Sequence, residues 1–363
     1  MRIIRPEQRV LTIGNPGLRI EGALASAAFQ ALLDRLAALG LSVSDAAALE
    51  TWFEAARETT ANDAFWILTN PATTDRIHLD LRSAMANQKV SAWWDDGTTN
   101  DYTLQTGSNT AVARTYAAAA ARVVVIAGAG NVKELRSTYT DGRTVWGCQT
   151  TDLPAGLTYL FVHGSNTISG PTGDLPAGLT LLAVVGSNTI SGATGDLPAG
   201  LTFLIVDGSN TISGPTGDLP AGLTYLYVDG SNTISGPTGD LPAGLTFLSV
   251  SGSNTIDWTS GIAHLTAIRA CYVRRPGGVP TAEIDALINS IWTARNGFTS
   301  ASNIRLEIQG YTGNTNGAPT GTVQNVCPPT TPGEKIYNLC YRQCGGDTHK
   351  KWSPIIYTGG QVT

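Results

Sequence analysis

A unit of 22 residues, repeated in near-identical copies, constrains the fold of this chain more than any other feature. The copies read DLPAGLTYLFVHGSNTISGPTG (152–173), DLPAGLTLLAVVGSNTISGATG (174–195), DLPAGLTFLIVDGSNTISGPTG (196–217), DLPAGLTYLYVDGSNTISGPTG (218–239) and DLPAGLTFLSVSGSNTIDWTSG (240–261). One copy is too short to bury its own apolar residues, so the copies must stack and bury them against one another. The repetition therefore predicts a solenoid.

Within each copy, the spacing of the apolar residues predicts one short strand. Leu157, Leu160 and Val162 mark it in the first copy, and successive strands are expected to run parallel, about 4.8 Å apart. Ile168 is predicted to lie in the turn that follows the strand. Glycines after this turn are predicted to let the chain run back toward the next copy. One asparagine per copy is predicted to lie in register and to hydrogen-bond turn backbone that would otherwise be unpaired. These residues are Asn166, Asn188, Asn210, Asn232 and Asn254.

The period continues in weaker form on both sides of the copies. Leu135 lies 22 residues before Leu157 and Trp146 lies 22 residues before Ile168, so 130–151 is predicted to form a degenerate first coil. On the other side, the segment 265–268 is predicted to form one more strand after a shortened turn.

The pattern LPxGLxxLxVxGxNxIxG, which covers about 150–268, resembles the short bacterial leucine-rich repeat. The resemblance implies an α/β leucine-rich-repeat solenoid with a parallel β-sheet, placed between an N-terminal helical and β-sandwich region and a C-terminal α/β cap. The sequence departs from the family pattern at one point. Val162 and Asn166 are four positions apart where the common pattern has three, which predicts a longer turn after the strand.

The first four copies differ only at three alternate strand positions and at one later position, where Ala193 replaces proline. Because side chains along a strand alternate between faces, the three strand positions are predicted to share the outward face of one sheet. The resemblance implies that this face binds the ligand, and its aromatic side chains favour recognition. The alternative is an unconstrained surface on which recently copied repeats drift. The candidate binding residues are Tyr159, Phe161, His163, Leu181, Ala183, Val185, Phe203, Ile205, Asp207, Tyr225, Tyr227, Asp229, Phe247, Ser249 and Ser251.

The N-terminal region has a different pattern. Apolar residues with helical spacing predict a helix over 21–38, and AAALETWFEAARE predicts a second one that begins near Asp45. This pair, followed by the apolar stretch that begins at Asp63, resembles N-terminal segments of tailed-phage virion proteins. The stretches VSAWWDDG (90–97), RTY (114–116) and RVVVIA (122–127) resemble a trimmed PKD-type β-sandwich.

After the repeats, the order of predicted elements resembles the C-terminal caps of phage-encoded leucine-rich-repeat proteins. A capped amphipathic helix is predicted over 281–292, a strand over 304–308 and a further helix near 333–342. A solenoid needs such a cap because its last coil would otherwise expose apolar core.

The cysteines and the repeated aspartates are the candidate metal ligands of this sequence. Five cysteines, an odd number, match no disulfide framework, and free thiols are expected, with a disulfide within the cap or zinc as alternatives. The zinc alternative would use Cys327, Cys340, Cys344 and His349, whose spacing is not a standard zinc pattern. The aspartates that open the copies are expected to cap turn N–H groups, with a bridging divalent cation as the alternative. We expect neither a metal nor a cofactor.

Charge and hydropathy exclude several classes of protein. The net charge is −5, which argues against phosphate neutralisation and thus against nucleic-acid binding. The segment 1–9 carries three arginines and no apolar core, so no secretory signal is predicted, and no window is apolar enough to insert into a membrane. Residues 152–257 contain eight aspartates and no lysine or arginine, which gives this segment a charge of −8.

The four histidines lie in no recognisable catalytic pattern, and GxSxG, P-loop and dinucleotide fingerprints are absent from the sequence. This lack of catalytic patterns predicts a non-enzymatic protein. The resemblance to tailed-phage virion segments, with an adhesion-type solenoid and no predicted secretory signal, implies a protein of a bacteriophage particle, of the tail-tip, fibre or head-decoration type and assembled in the host cytoplasm. The alternatives are a bacterial leucine-rich-repeat effector or surface protein that binds a host protein, and a hydrolase such as a depolymerase.

The sequence patterns divide the chain into four predicted regions. They are a helical attachment region (1–86), a PKD-like segment (87–129), the solenoid (130–268) and a capping domain (269–363). The attachment region is expected to contact other virion proteins, and the sheet face a host-surface protein or glycan or a neighbouring subunit. A homo-oligomer on the particle is also expected.

Overall fold

The fold is taken from a computed structural model. It describes residues 26–41, 46–62, 64–71, 73–137, 145–275, 278–299, 304–310, 319–324, 326–341, 352–357 and 360–362. The chain divides into two units, Met1–Ser169 and Gly170–Thr363, and the division falls inside a strand of the first repeat copy. Together they form an α/β protein rich in parallel strands with few helices, which is consistent with a repeat solenoid.

The first unit begins with helices and continues with strands. Its helices are α1 (Ala27–Ala38) and α2 (Ala46–Thr60). The helix predicted over 21–38 begins only at Ala27, after the N-cap Ser26, and the expected start of the second helix at Asp45 lies outside the described residues. Its strands are β1 (Phe65–Asn70), β2 (Arg76–Arg82), β3 (Gln88–Trp94), β4 (Thr99–Leu104), β5 (Thr110–Thr115), β6 (Arg122–Ala127), β7 (Glu134–Ser137), β8 (Gly147–Gln149), β9 (Tyr159–Val162) and β10 (Thr167–Pro171).

The strands of the first unit lie in two sheets, ordered β10-β8-β1-β6-β3-β4 and β9-β7-β2-β5. The helices cover one face of the first of these sheets. Phe29 and Leu36 of α1 and Phe53 of α2 share an apolar cluster with Ile67 of β1 and Trp93 of β3. This cluster explains the helical spacing, since an amphipathic helix is stabilised by burying its apolar side against a sheet.

The second unit contains the remaining repeats and the C-terminal region. Its strands are β11 (Leu181–Val184), β12 (Thr189–Ala193), β13 (Phe203–Val206), β14 (Thr211–Pro215), β15 (Tyr225–Val228), β16 (Thr233–Pro237), β17 (Phe247–Val250), β18 (Thr255–Asp257), β19 (Ala270–Arg275), β20 (Ile304–Gly310), β21 (Trp352–Tyr357) and β22 (Gly360–Val362). Helix α3 (Thr281–Ala294) follows β19, and helix α4 (Pro332–Tyr341) follows β20, close to the predicted positions.

Each repeat contributes two strands, which we name the leucine strand (x-Leu-x-Val; β9, β11, β13, β15, β17) and the isoleucine strand (Thr-Ile-Ser-Gly-Pro, with alanine last in β12; β10, β12, β14, β16). The prediction that Leu157 belongs to the first leucine strand is wrong, because it lies in the turn before β9, where its N–H donates to the Pro154 carbonyl oxygen. In the second unit the leucine strands pair in parallel with a step of 22 residues, so that Leu204 lies beside Leu226. The isoleucine strands also pair in parallel, but Ser213 lies beside Thr233 with a step of 20 residues. We call these two arrays the leucine sheet and the isoleucine sheet.

The isoleucine strand differs from the prediction, which assigned Ile168 to a turn. In the structure Thr-Ile-Ser alternates as a strand should, with Ile212 buried and Thr211 and Ser213 exposed on the other side. The chain then turns sharply through a short 3₁₀ turn at Thr-Gly-Asp and returns to the next leucine strand. One coil is thus strand, turn, strand and 3₁₀ turn.

Two further predictions of register are wrong. The segment 265–268 is the turn before β19, because Leu265 N–H donates to the Ile262 carbonyl oxygen just as Leu245 N–H donates to that of Pro242. The strand begins five residues after Leu265, at Ala270. Upstream, Leu135 pairs with Leu160 rather than matching Leu157, whereas Trp146 does take the place of the repeated isoleucine.

The strands also pair across the predicted limits of the four regions. Strand β1 pairs with β6, and β2 pairs with β5 and β7, which joins residues before and after position 86. In the second unit β17 pairs with β19 and β19 with β20, so strands after residue 268 extend the leucine sheet. The stretch 90–97, which resembles part of a PKD-type sandwich, ends in a turn between β3 and β4, where Gly97 N–H donates to the Trp94 carbonyl oxygen at 2.8 Å.

Candidate functional site

The candidate site is the outward face of the leucine strands, which we call the variable face; it is defined by the fifteen binding residues predicted above. In β13 the alternation is clear, since Leu204 and Val206 are buried while Phe203, Ile205 and Asp207 are partly exposed. The same alternation holds in β9 and β15. The structure therefore places the variable residues on one side of each leucine strand, as the alternation predicts.

Within the second unit, the aromatic residues at the first variable position form a stack. The ring centroids of Phe203 and Tyr225 are 4.1 Å apart with planes inclined by 14°, and those of Tyr225 and Phe247 are 4.1 Å apart and inclined by 3°. In-register pairing at the strand spacing produces this geometry. The rings therefore turn their flat faces toward each other and leave edges for a partner.

The stack continues beyond the repeats to a residue that the sequence reasoning missed. Tyr272 of β19 approaches Phe247 at 5.5 Å between centroids, tilted by 40°. The guanidinium groups of Arg274 and Arg305 lie 5.9 Å and 5.2 Å from the Tyr272 ring, and both form ion pairs with the buried carboxylate of Glu307. The Cys-Tyr-Val-Arg sequence of β19 alternates like a leucine strand, and this alternation could have identified Tyr272 beforehand.

Three of the predicted binding residues are not available to a partner in the way the alternation suggests. Ala183, Ser249 and Ser251 are only 1%, 5% and 3% exposed. Ser249 lies between Tyr227 and Tyr272 on the neighbouring strands, and the larger side chains cover it. The larger side chains on neighbouring strands therefore pack over these small residues.

Acidic residues lie at the end of two leucine strands. One carboxylate oxygen of Asp207 accepts a hydrogen bond from Gly208 N–H at 2.5 Å, and Asp229 accepts one from Gly230 N–H at 2.7 Å. These bonds stabilise the turn that follows each strand, since an aspartate readily caps nearby backbone N–H groups. Both carboxylates remain partly exposed at the edge of the variable face.

In the first unit, the face that carries Tyr159, Phe161 and His163 has charged neighbours. Glu134 and Arg136 of β7 lie beside Tyr159 and Phe161, and the Arg136 guanidinium lies 4.1 Å from the centre of the Tyr159 ring. Arg136 also pairs with Glu134 at 3.2 Å. Cation–π contact and ion pairing hold this part of the face in place.

The predicted asparagine ladder is present and fixes the coils behind the variable face. Asn210 is fully buried, its amide nitrogen donates to the Val184 and Asp207 carbonyl oxygens at 3.2 Å and 2.7 Å, and its Oδ1 accepts from Ile190 N–H at 3.0 Å. Because Val184 belongs to a leucine strand and Ile190 to an isoleucine strand, the asparagine ties both strands of one coil to the next coil. Asn232 repeats this pattern one coil later.

The expected cap at the aspartates is found once, in the first unit, where Asp152 Oδ2 accepts from Gln149 N–H at 3.4 Å. Asp152 also forms an ion pair with Arg35 Nε at 2.5 Å. The later aspartates of the series (Asp174, Asp196, Asp218 and Asp240) are exposed at the end of the 3₁₀ turns and make no hydrogen bond within the described ranges. Across those same ranges no group of three or more His, Cys, Asp or Glu side chains is placed to hold a metal ion.

The cysteines differ from one another. Cys327 is disulfide-bonded, so the expectation of a free thiol is wrong at this residue. Cys148 and Cys271 are buried free thiols, and burial raises the pKa of each to about 12. They are protonated at neutral pH and act as small core residues. Cys344 and His349 lie outside the described residues.

No protein-family model matches the chain, and comparisons with curated proteins and with solved structures give no match. Along the described residues, no helix combines the length and apolar character needed to cross a bilayer.

Proposed function

We propose that this chain is a non-enzymatic structural protein of a bacteriophage particle and that its repeats form a leucine-rich-repeat solenoid. In this proposal the variable face binds a protein, either on the surface of the host cell or on a neighbouring subunit of the particle. The protein acts at the tail tip, on a fibre or as a head decoration. Residues before the repeats attach it to the particle.

The observation that carries the proposal is a contrast between the two strands of each repeat. Thr211 and Ser213 of the isoleucine strand are more exposed than the variable residues of the neighbouring leucine strand, yet their positions are identical in the first four copies. Free drift on exposed surface would change both faces. Change restricted to the leucine strands supports diversification of a recognition surface, where aromatic side chains are the usual anchors.

The stacking of the aromatic rings favours a protein over a sugar as the partner of the variable face. A pyranose ring that binds an aromatic residue uses the face of that ring, whereas Tyr225 has Phe203 on one face and Phe247 on the other. Ring edges, the Tyr225 hydroxyl and the partly exposed carboxylate of Asp207 remain for contact. Such a mixture of aromatic and polar groups is typical of protein recognition surfaces.

The particle assignment is tested by mass spectrometry of phage particles purified by density gradient. We expect the chain as a stoichiometric component, with its peptides retained after washing in high salt. Detection in the envelope or the culture medium of uninfected bacteria, and not in particles, would replace the proposal by the effector or surface-protein alternative.

The binding role of the face is tested separately with fluorescently labelled protein and cells of the bacterium that yielded the particles, or with the purified particles. We expect the double variant I205S/Y227S to bind at least about tenfold more weakly, as loss of two interface side chains usually causes. The matched control is T211A/S213A, which changes exposed residues of the isoleucine strand that follows Ile205. Equal binding by the two variants would contradict a binding role for the variable face.

A further inference from the structure

A second candidate site lies in the first unit, where the covering helices end. Helices α1 and α2 pack on β1, β3 and β6, but they do not extend over β8 and β10. A cleft of about 260 Å³ remains there, bordered by Leu39 at the end of α1, by β1, β8 and β10, and by Asp152. This volume exceeds the roughly 10–15 Å³ that one water needs and falls just below the ~300 Å³ at which drug-sized pockets begin.

The floor of the cleft is made of hydroxyl groups that converge on one glycine. A Cβ atom on Gly147 would lie 2.6 Å from Thr167 Oγ1 and 3.3 Å from Thr69 Oγ1. The space above the Gly147 Cα is thus flanked by two hydroxyls. Gly147 adopts no left-handed φ, so the backbone does not require glycine here.

The first coil departs from the repeat at the two outward positions that line this cleft. Trp146 N–H donates to Asn166 Oδ1 as Ile190 N–H donates to Asn210 Oδ1, which aligns Trp146 with the repeated isoleucine. Gly147 and Gln149 therefore stand where the later copies have serine and then proline or alanine. Glycine in place of serine at position 147 opens space above the floor of the cleft. Glutamine in place of proline or alanine at position 149 adds a side-chain amide beside this space.

The polar groups of the lining retain hydrogen-bonding capacity. Gln149 Nε2 donates to Ser169 Oγ at 3.0 Å, which leaves the Ser169 O–H as a donor. Within the described part of the chain, Thr167 Oγ1 has no hydrogen-bond partner, whereas the Gln149 side chain also accepts a hydrogen bond from Asp152 N–H. A hydroxyl can donate one hydrogen bond and accept others, so the lining offers both donors and acceptors.

The lining is neutral toward a ligand. Its charged group, Asp152, is 8% exposed and is occupied by Arg35 Nε and Gln149 N–H. Leu39 and Ile67 supply the apolar part of the lining. No aromatic residue is found among the described residues that line the cleft, which removes the stacking surface that a planar base would use.

We propose that this cleft binds one neutral sugar ring. A pyranose has hydroxyls that donate and accept, which match Thr167, Ser169 and Gln149, and a C–H face that matches Leu39 and Ile67. Its size suits a cleft smaller than a drug-sized pocket. This site is separate from the variable face, so a particle protein could hold a glycan here while the leucine strands contact a protein.

The test uses the full chain and saturation-transfer difference NMR with the methyl glycosides of glucose, galactose, mannose and N-acetylglucosamine. We expect ring-proton saturation with at least one of them and affinity roughly tenfold lower in T167V, since one lost hydrogen bond of ~1.4 kcal/mol corresponds to a factor of ten. The matched control is T189V, the same change at the equivalent exposed position of the next coil. It should leave the affinity unchanged.

A second variant, G147S, restores the residue of the repeat and fills the space above the floor. We expect it to abolish the saturation signal, and thermal unfolding measured by circular dichroism reports whether it folds. If G147S is unfolded, Q149A replaces it, with an expected loss of several-fold. No saturation from any glycoside at millimolar concentration, or equal affinity of T167V and T189V, overturns the proposal.

Discussion

The two sheets of the second unit are built from the same repeats, yet they tolerate change differently. On the leucine sheet the outward residues vary from Ala183 to Tyr227, and buried leucines and valines between them stay the same. On the isoleucine sheet nearly every position is constant, including the exposed ones. Exposure alone therefore does not decide which positions of the repeat vary.

Steric need accounts for part of the isoleucine strand. A Cβ atom on Gly214 would lie 2.4 Å from Thr194 Oγ1, and Gly214 has φ +133°, which L side chains rarely adopt. Thr194 is fully buried and its hydroxyl donates to the Pro215 carbonyl oxygen at 3.1 Å. The constant exposed residues Thr211 and Ser213 have no such constraint in the structure, and nothing in it explains why they do not vary.

The largest loss of stability is expected from substituting a buried asparagine that lies between the two sheets. Asn210→Ala removes hydrogen bonds to both strands and leaves Ile190 N–H and the Asp207 carbonyl oxygen without these partners, whereas the Val184 carbonyl oxygen still accepts from Asp207 N–H. At roughly 1–3 kcal/mol for each buried group left unpaired, we expect a loss of about 4 kcal/mol. Urea unfolding measures it. Ser209→Ala, at an exposed neighbour, is the control and should change stability by less than about 0.5 kcal/mol.

The next largest effect tests the steric argument for the isoleucine sheet. Gly214→Ala combines a positive φ with a contact shorter than real Cβ atoms show, and we expect a loss of about 3 kcal/mol. Gly217→Ala is the matched control, because its Cβ would meet Asp240 at an ordinary 3.6 Å. Equal unfolding free energies for the two variants would show that the tight turn is not what keeps the sequence constant.

A smaller effect is expected on the leucine sheet. Tyr225→Ala breaks two ring stacks, each worth about 0.5–1.5 kcal/mol, and we expect a loss of about 2 kcal/mol in thermal unfolding. Ile205→Ala, on the preceding strand but outside the stack, should cost less. If both cost the same, the stack is not a stabilising unit. Because Tyr225 carries this structural role, Tyr227 is the better position at which to test binding.

The smallest effect concerns the ionisation of the stack. Burial, and then the charge of Tyr272, raise the pKa of Tyr225 above its ordinary value of about 10. The neutral phenol is therefore favoured in the folded state, so its contribution to stability is complete below pH 10 and is lost as the pH rises through the folded pKa. Absorbance titration at alkaline pH should show a late-titrating tyrosine that Y225F removes. An unchanged titration curve in Y225F would contradict this environment.

Much of the fold could be predicted from local patterns. The leucine strands, the helices α1, α3 and α4, and the asparagine ladder follow from periodicity, because a repeated unit places equivalent residues in equivalent surroundings. The isoleucine strand was missed although Thr-Ile-Ser alternates with a period of two. Three alternating residues followed by a glycine and a proline are too few to predict a strand from the sequence. They form a strand because they pair with the neighbouring coil.

The candidate site was predictable in outline and incomplete in detail. Alternation assigned the right residues to the outward face, but it treated Ser249 and Tyr227 as equivalent, although neighbouring rings bury the serine. Tyr272 lies outside the repeat and joins the stack only because β19 pairs with β17. The cleft at Gly147 depends on where helix α1 ends above β8, which no sequence period encodes.

The sequence by itself determined that this chain repeats a coil of 22 residues, which residues face the interior and which face varies. These properties are local, since the period and the alternation of side chains hold wherever a strand is built. The tertiary structure decided which side chains on adjacent strands and helices contact one another. It stacked Tyr225 between two rings, covered Ser249 and left a cleft over Gly147, because these outcomes depend on contacts between residues far apart in the chain.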